Sequence, residues 1–309
     1  MSGPLRVERD VSVGRWLQDA LVFEANVRSV VPPIFDAYVR VQHPALLHVP
    51  TGEADAWGNP ETAPREITWD ETAALVGERP QPGGCTAWLS RFGDGELVAR
   101  EGATHRGDPV GGAHVTDPHS GDVPLGVLVA LAGHALAEHG DAEVLAAAWE
   151  GSGFDPGGTA LYAWFPDEIP PAERERLQRE EQARYRAASL ASIDPEILDA
   201  MQRGQVLGLP AEGGGRGHVL LRGRLATFAE PGWQLAAGLG WRADEGVLGA
   251  DRTPNAIWPV EPHAHPAWML HCDLDLDVTH VGGTPALIAR ILADESLDAH
   301  LVRPADPLT

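Results

Sequence analysis

From Trp268 to Thr279 the chain keeps a period of two: Trp268, Leu270, Cys272, Leu274, Leu276 and Val278 fall on one, apolar side, while His271, Asp273, Asp275, Asp277 and Thr279 fall on the other. Period-two alternation marks a β-strand with one face on a core and the other in water. The run therefore predicts a single strand near the C-terminus that turns an acidic row outward. Such a row is either a metal site or a solvated face that resists edge pairing.

Gly and Pro supply 35 and 26 of the 309 residues, roughly a fifth of the chain against an average near 12%. Short elements joined by many turns follow. With a chain long enough to bury a large core without staples, the expected class is α+β: a mixed or antiparallel sheet with short helices and Gly/Pro-rich loops. The two cysteines, Cys85 and Cys272, lie far apart and outside any C-x-x-C, so neither a disulfide framework nor a structural zinc is indicated. Cys272 falls on the apolar side of its strand, where burial makes a thiol inert. The first residues lack an apolar leader core, and no apolar run approaches a membrane span. A soluble, cytoplasmic protein is expected.

The formal net charge is -22, and all 23 cationic side chains are Arg, with no Lys. Such a charge repels nucleic-acid phosphates and anionic membranes at long range, so neither is an expected partner. The missing Lys removes Schiff-base chemistry and the lysine of a phosphate loop.

Along the chain, residues 12–49 predict strands flanking the Pro32-Pro33 turn, and residues 50–65 predict an irregular surface loop. Thr68 and Glu71 form a capping box that opens a short helix to about Val76. Asp122 as cap and Pro124 in the first turn introduce a helix that ends at Gly140, and a strand covers Val144 to Trp149. Residues 159–217 change character. Glu and Arg at i,i+4 between Glu173 and Arg184 predict a solvated helix, and Asp194-Pro195-Glu196 opens another. The expected organisation is one α+β domain in two halves, 1–158 and 218–309, with 159–217 an inserted helical segment. A strand from Val219 to Arg224, a helix capped by Thr284 with Pro285 at its first position, and an edge strand near Ala299 to Val302 complete the pattern.

Ser29-Val30-Val31-Pro32-Pro33-Ile34-Phe35-Asp36-Ala37-Tyr38, Trp149-Glu150-Gly151, Pro254-Asn255-Ala256-Ile257-Trp258-Pro259 and the stretch from Asp273-Leu274-Asp275 to Val281-Gly282-Gly283 resemble a family of uncharacterised actinobacterial proteins. The resemblance spans most of the chain except 159–217. It implies a bacterial cytoplasmic protein and carries over no catalytic residue.

Two functional expectations follow. The first is a non-catalytic acidic protein, of inhibitor or immunity type, that binds a partner with a basic surface and needs no cofactor. The second is an enzyme acting on a phosphorylated small molecule through Mg²⁺ or Mn²⁺, with Asp273, Asp275 and Asp277 as metal ligands. Gly282, Gly283 and Thr284 would then hold the phosphate at a helix start. His263, His265 and His271 could chelate zinc or iron, but the downstream ligands of a cupin-like pattern are missing. His105, Asp108, His114, Asp117, His119 and Asp122 match no ligand spacing. No G-x-S-x-G occurs, and neither Gly111-Gly112-Ala113 nor Gly213-Gly214-Gly215 has the grammar of a dinucleotide fingerprint.

Overall fold

The computed structural model describes residues 3–22, 24–54, 60–77, 114–118, 120–151, 169–209, 215–240, 252–260 and 265–308. The strands are β1 (Arg6–Val7), β2 (Ala37–Gln42), β3 (Ala45–Ala54), β4 (Pro60–Ile67), β5 (His114–Thr116), β6 (Glu143–Trp149), β7 (Leu207–Leu209), β8 (Arg216–Arg224), β9 (Ala256–Pro259), β10 (Met269–His271), β11 (Val278–Gly283) and β12 (Asp298–Val302). The α-helices are α1 (Arg15–Ala20), α2 (Trp69–Val76), α3 (Leu125–His139), α4 (Pro171–Ser192), α5 (Pro195–Gln202), α6 (Leu225–Ala229) and α7 (Pro285–Leu292). Among the described residues no helix is long and apolar enough to cross a membrane.

The class is α+β. Nine strands form one sheet in the order β1-β8-β6-β9-β10-β11-β2-β12, with β7 beside β1 on the same edge of β8, and β4-β3-β5 make a smaller sheet. Every pairing among the described strands is antiparallel.

Successive strand residues serve opposite faces. Val144, Ala146 and Ala148 of β6, Val219 and Leu221 of β8, Val39 and Val41 of β2, and Val281 of β11 join one core with Leu128 and Leu131 of α3, Ile197 of α5 and Ile291 of α7. Leu145, Ala147, Leu220, Trp258 and Met269 point the other way, into a second core closed by Leu17 of α1 and by Val27, Val30 and Val31. Each fully buried large aliphatic contributes about 1.5–3 kcal/mol. Both faces of the sheet are therefore stabilising.

The local signals for helices are met. Thr68 Oγ1 accepts from the Glu71 N–H at 3.1 Å and Glu71 Oε2 accepts from the Thr68 N–H at 3.0 Å, closing the capping box of α2. Asp194 accepts from the Glu196 N–H at α5, and Thr284 from the Leu287 N–H at α7. Gly140 ends α3, although Pro124 rather than Asp122 holds its N-cap position. Helix α4 is largely exposed and carries the Arg176–Glu180 pair at 2.7 Å.

Three expectations are corrected. The alternating run is not one strand: β10 stops at His271, and the chain turns before β11 begins at Val278. Residues 50–65 are mostly hairpin, because β3 and β4 pair from Ala45↔Ile67 outward to Ala54↔Pro60. Residues 15–20 are the helix α1, and 27–29 are a 3-10 turn, so β2 is the first long strand of the region. The boundary at 217 falls inside β8, while Ile193, Ile197 and Ala200 belong to the main core. From Ile193 onward the described segment packs on the main core through α5 and joins the sheet through β7, while α4 has the solvated character expected of an insertion.

Candidate functional site

The turn between β10 and β11 positions the three aspartates. Asp273 Oδ1 accepts from the Asp275 N–H at 3.1 Å, and the Leu276 N–H donates to the Asp273 carbonyl at 3.0 Å. This side-chain-to-backbone bond is the device by which Asp nucleates a turn. Arg216, at the start of β8, reaches Asp275 Oδ2 at 2.7 Å and Asp273 Oδ1 at 3.6 Å. Asp277 is more buried, and burial raises its carboxyl above the ordinary value despite its own backbone N–H and Arg40. Two of the three carboxylates thus share a guanidinium. Among the described residues no group of three or more His, Cys, Asp or Glu side chains is arranged to hold a metal ion. Cys272, just before the turn, is buried, and burial pushes its thiol well above the usual range, with the Asp122 and Asp273 charges adding to the effect.

Gly282 and Gly283 end β11 inside the sheet, opposite Tyr38 and Ala37 of β2. A Cβ on Gly282 would overlap the Phe35 ring and come within 2.8 Å of Val31 Cγ1, and one on Gly283 would lie 3.0 Å from Leu287 Cδ2. Close packing of neighbouring side chains explains both glycines. The Thr284 hydroxyl caps α7.

Two other constellations come from residues far apart in the sequence. The first is an acidic cleft of about 260 Å³ between the β4–α2 corner, the start of α3 and the start of β12. Glu66, Glu71 and Asp298 supply its carboxylates, and Gln42, Thr68 and Ser296 its neutral polar groups. Its geometry is set by helix starts: the Trp69 N–H donates to Asp298 Oδ2 at 3.0 Å, and Gly126 leaves room for the Glu66 carboxylate, which would lie 3.0 Å from a Cβ there. Helix N-termini favour such anions. Burial raises the Asp298 carboxyl above its ordinary value; the Trp69 N–H works against this and the Asp70 charge reinforces it. Arg65 approaches Glu71 at 3.6 Å. The cleft is smaller than a typical small-molecule pocket and suits one cationic side chain, whose N–H groups would make charge-assisted bonds to the carboxylates.

The second is a polar row on the sheet face that carries the second core. His271, His280, Arg40 and His300 stand directly opposite one another in turn across β10, β11, β2 and β12. His271, His280 and Arg40 are buried. His271 Nδ1 lies 2.6 Å from the Val30 carbonyl, which assigns the proton to Nδ1, while neither ring nitrogen of His280 has a hydrogen-bond partner among the described residues. Burial first, then the Arg40 and His271 charges, lower His280 to about 3. His218 is lowered to about 4, again by burial and then by His271. The rings are neutral at physiological pH, beneath a cover in which the Val27 N–H donates to the Asp306 carbonyl and the Arg28 N–H to the Pro304 carbonyl.

His265 packs edge-on near Trp16, with ring centroids 6.4 Å apart, and belongs to an aromatic cluster with Trp258. Cys85, His105, Asp108, His119, His263 and the turns at Gly111-Gly112-Ala113 and Gly213-Gly214 lie outside the described residues. Sequence reasoning missed both the cleft and the histidine row. Their residues fall on separate elements and carry no common spacing, though the Thr68–Glu71 box did mark one wall of the cleft. No protein-family model, curated protein or solved structure matches the chain.

Proposed function

We propose that the protein acts by binding rather than by catalysis, as a cytoplasmic acidic protein of inhibitor or immunity type whose partner presents a basic surface. The observation that carries this reading is the cleft lined by Glu66, Glu71 and Asp298 on a chain of net charge -22. A cationic side chain of the partner anchors there, and the surrounding field speeds its approach. The same charge disfavours nucleic acid and anionic membrane as partners. The buried histidines serve the fold in this reading, since the turn that covers them is tied to the C-terminal segment.

The test is affinity capture from the host lysate at low salt, with stoichiometry read by quantitative mass spectrometry. A basic protein recovered near one to one, released by raised salt and lost with Glu71→Gln plus Asp298→Asn, supports the reading. Recovery of no stoichiometric partner, or of one indifferent to both salt and the two substitutions, overturns it.

A further inference from the structure

We infer that the partner enters as an extended segment that adds a strand to the edge of β12 that no described strand covers, and places an Arg or Lys side chain in the acidic cleft. This inference rests on the binding reading above and specifies its mode.

Hydrogen-bond alternation in the ladder shows which peptide groups face outward. The His43 N–H donates to the Asp277 carbonyl at 2.9 Å, in register with the β2–β11 pairing. In an antiparallel ladder, successive residues of a strand turn their peptide groups to opposite neighbours. His43, Val41 and Val39 therefore serve β11, and Gln42, Arg40 and Tyr38 serve β12. Their opposite numbers Asp298, His300 and Val302 spend their peptide groups on β2. Ala299 and Leu301 are left facing away from the sheet. The Ala299 N–H folds back to the Leu297 carbonyl at 3.0 Å, so the outward groups are the Ala299 carbonyl and both the N–H and the carbonyl of Leu301.

Among the described strands, β12 ends the sheet. The opposite edge is protected differently: β1 and β7 lie along β8, and Gln18 Nε2 donates to the Gly208 carbonyl at 2.7 Å. At β12 the Leu301 side chain is 68% exposed, more than any other large apolar side chain described. An exposed edge with unspent peptide groups is a template for strand addition.

Charge complementarity selects the occupant. Asp298 begins β12 and also lines the acidic cleft. Leu301 lies three residues on, about 10 Å along the strand. The fitting segment is therefore extended, apolar beside Leu301 and cationic about 10 Å away. A second copy of this chain fits poorly, because two bodies of net charge -22 repel.

The test uses the full chain and a fluorescent nonapeptide of alternating Thr and Val with one Arg near an end. Two controls share its length: one with Glu for Arg, the other N-methylated at alternate residues so that it cannot complete a ladder. Anisotropy at low salt should show binding of the Arg peptide and a loss of at least about tenfold for each control, with the Leu301 amide becoming protected from hydrogen exchange. Leu301→Pro removes an outward N–H and should abolish binding; Leu301→Lys, which leaves the backbone intact, should weaken it. Equal binding of the N-methylated peptide, or no binding of the Arg peptide, overturns the inference. So does protection of Leu301 by dimerisation without peptide. If capture of a basic partner persists unchanged in Leu301→Pro, the edge mode fails while the binding function stands; if the wild type captures none, the binding function itself fails.

Discussion

His280 stands directly opposite His271 in the β10–β11 ladder, and both imidazoles are buried. Burial lowers both rings, so each is held in its neutral, singly protonated form. His280 titrates at about 3 and the neighbouring His218 at about 4 in the fold, against 6.5 when unfolded.

The unfolded chain therefore binds more protons than the native one below pH 6.5. Stability from these groups is complete above that value and is lost as pH falls through about 4 and then about 3. For His218 alone the loss is on the order of 3 kcal/mol. Urea unfolding at neutral pH and at a pH near 4 should show a drop larger than this, because His280 loses a similar amount over the same interval, and His280→Leu should flatten the dependence. A free energy of unfolding unchanged over that interval contradicts the burial of the row.

Gly282→Ala drives a methyl group into Phe35 and Val31. Overpacking of this kind costs about 1–3 kcal/mol. The contrasting case is Gly133 in the middle of α3, where an added Cβ meets nothing within 4 Å. There alanine should stabilise by about 0.5–1 kcal/mol. Thermal or chemical melts of the two variants should move in opposite directions.

Thr68→Ala removes the hydroxyl that accepts the Glu71 N–H, at an expected cost of about 1 kcal/mol. It also loosens Glu71 at the wall of the cleft. The same variant should therefore weaken capture of a basic partner, whereas Thr68→Ser should restore both stability and capture.

Arg216 already neutralises Asp275 and approaches Asp273. Millimolar Mn²⁺ or Mg²⁺ should leave the melting temperature unchanged, because an ion would have to displace the guanidinium. A rise with Mn²⁺ that Asp275→Asn abolishes would instead support the metal-dependent enzyme.

Features written within a few residues were legible in the sequence. The Thr68–Glu71 box, the Asp194-Pro195 and Thr284-Pro285 starts, the Gly140 stop and the edge strand at Asp298–Val302 all depend on neighbours along the chain. The acidic run was misread because an Asp that starts a turn and an Asp on a wet strand face produce the same alternation. The side-chain bond from Asp273 to the Asp275 amide separates the two cases, and it is invisible in residue type. The β3–β4 hairpin was hidden by Pro50, Pro60 and Pro64, which interrupt the pattern, although the strands pair on both sides of a register shift between Pro50 and Ala54. The cleft and the histidine row depend on which strands become neighbours. That information is tertiary.

Strand β2 is made early, yet both of its neighbours, β11 and β12, are the last strands of the described chain. At the usual rate of synthesis the interval between them is roughly 10 to 50 seconds. For that time the nascent polypeptide holds Tyr38–Gln42 with both flanks unclaimed, and the central layer can close only once the final strands have left the ribosome. A chaperone that shelters early-emerging hydrophobic strands should therefore raise the yield of folded product more than it changes the finished molecule's stability.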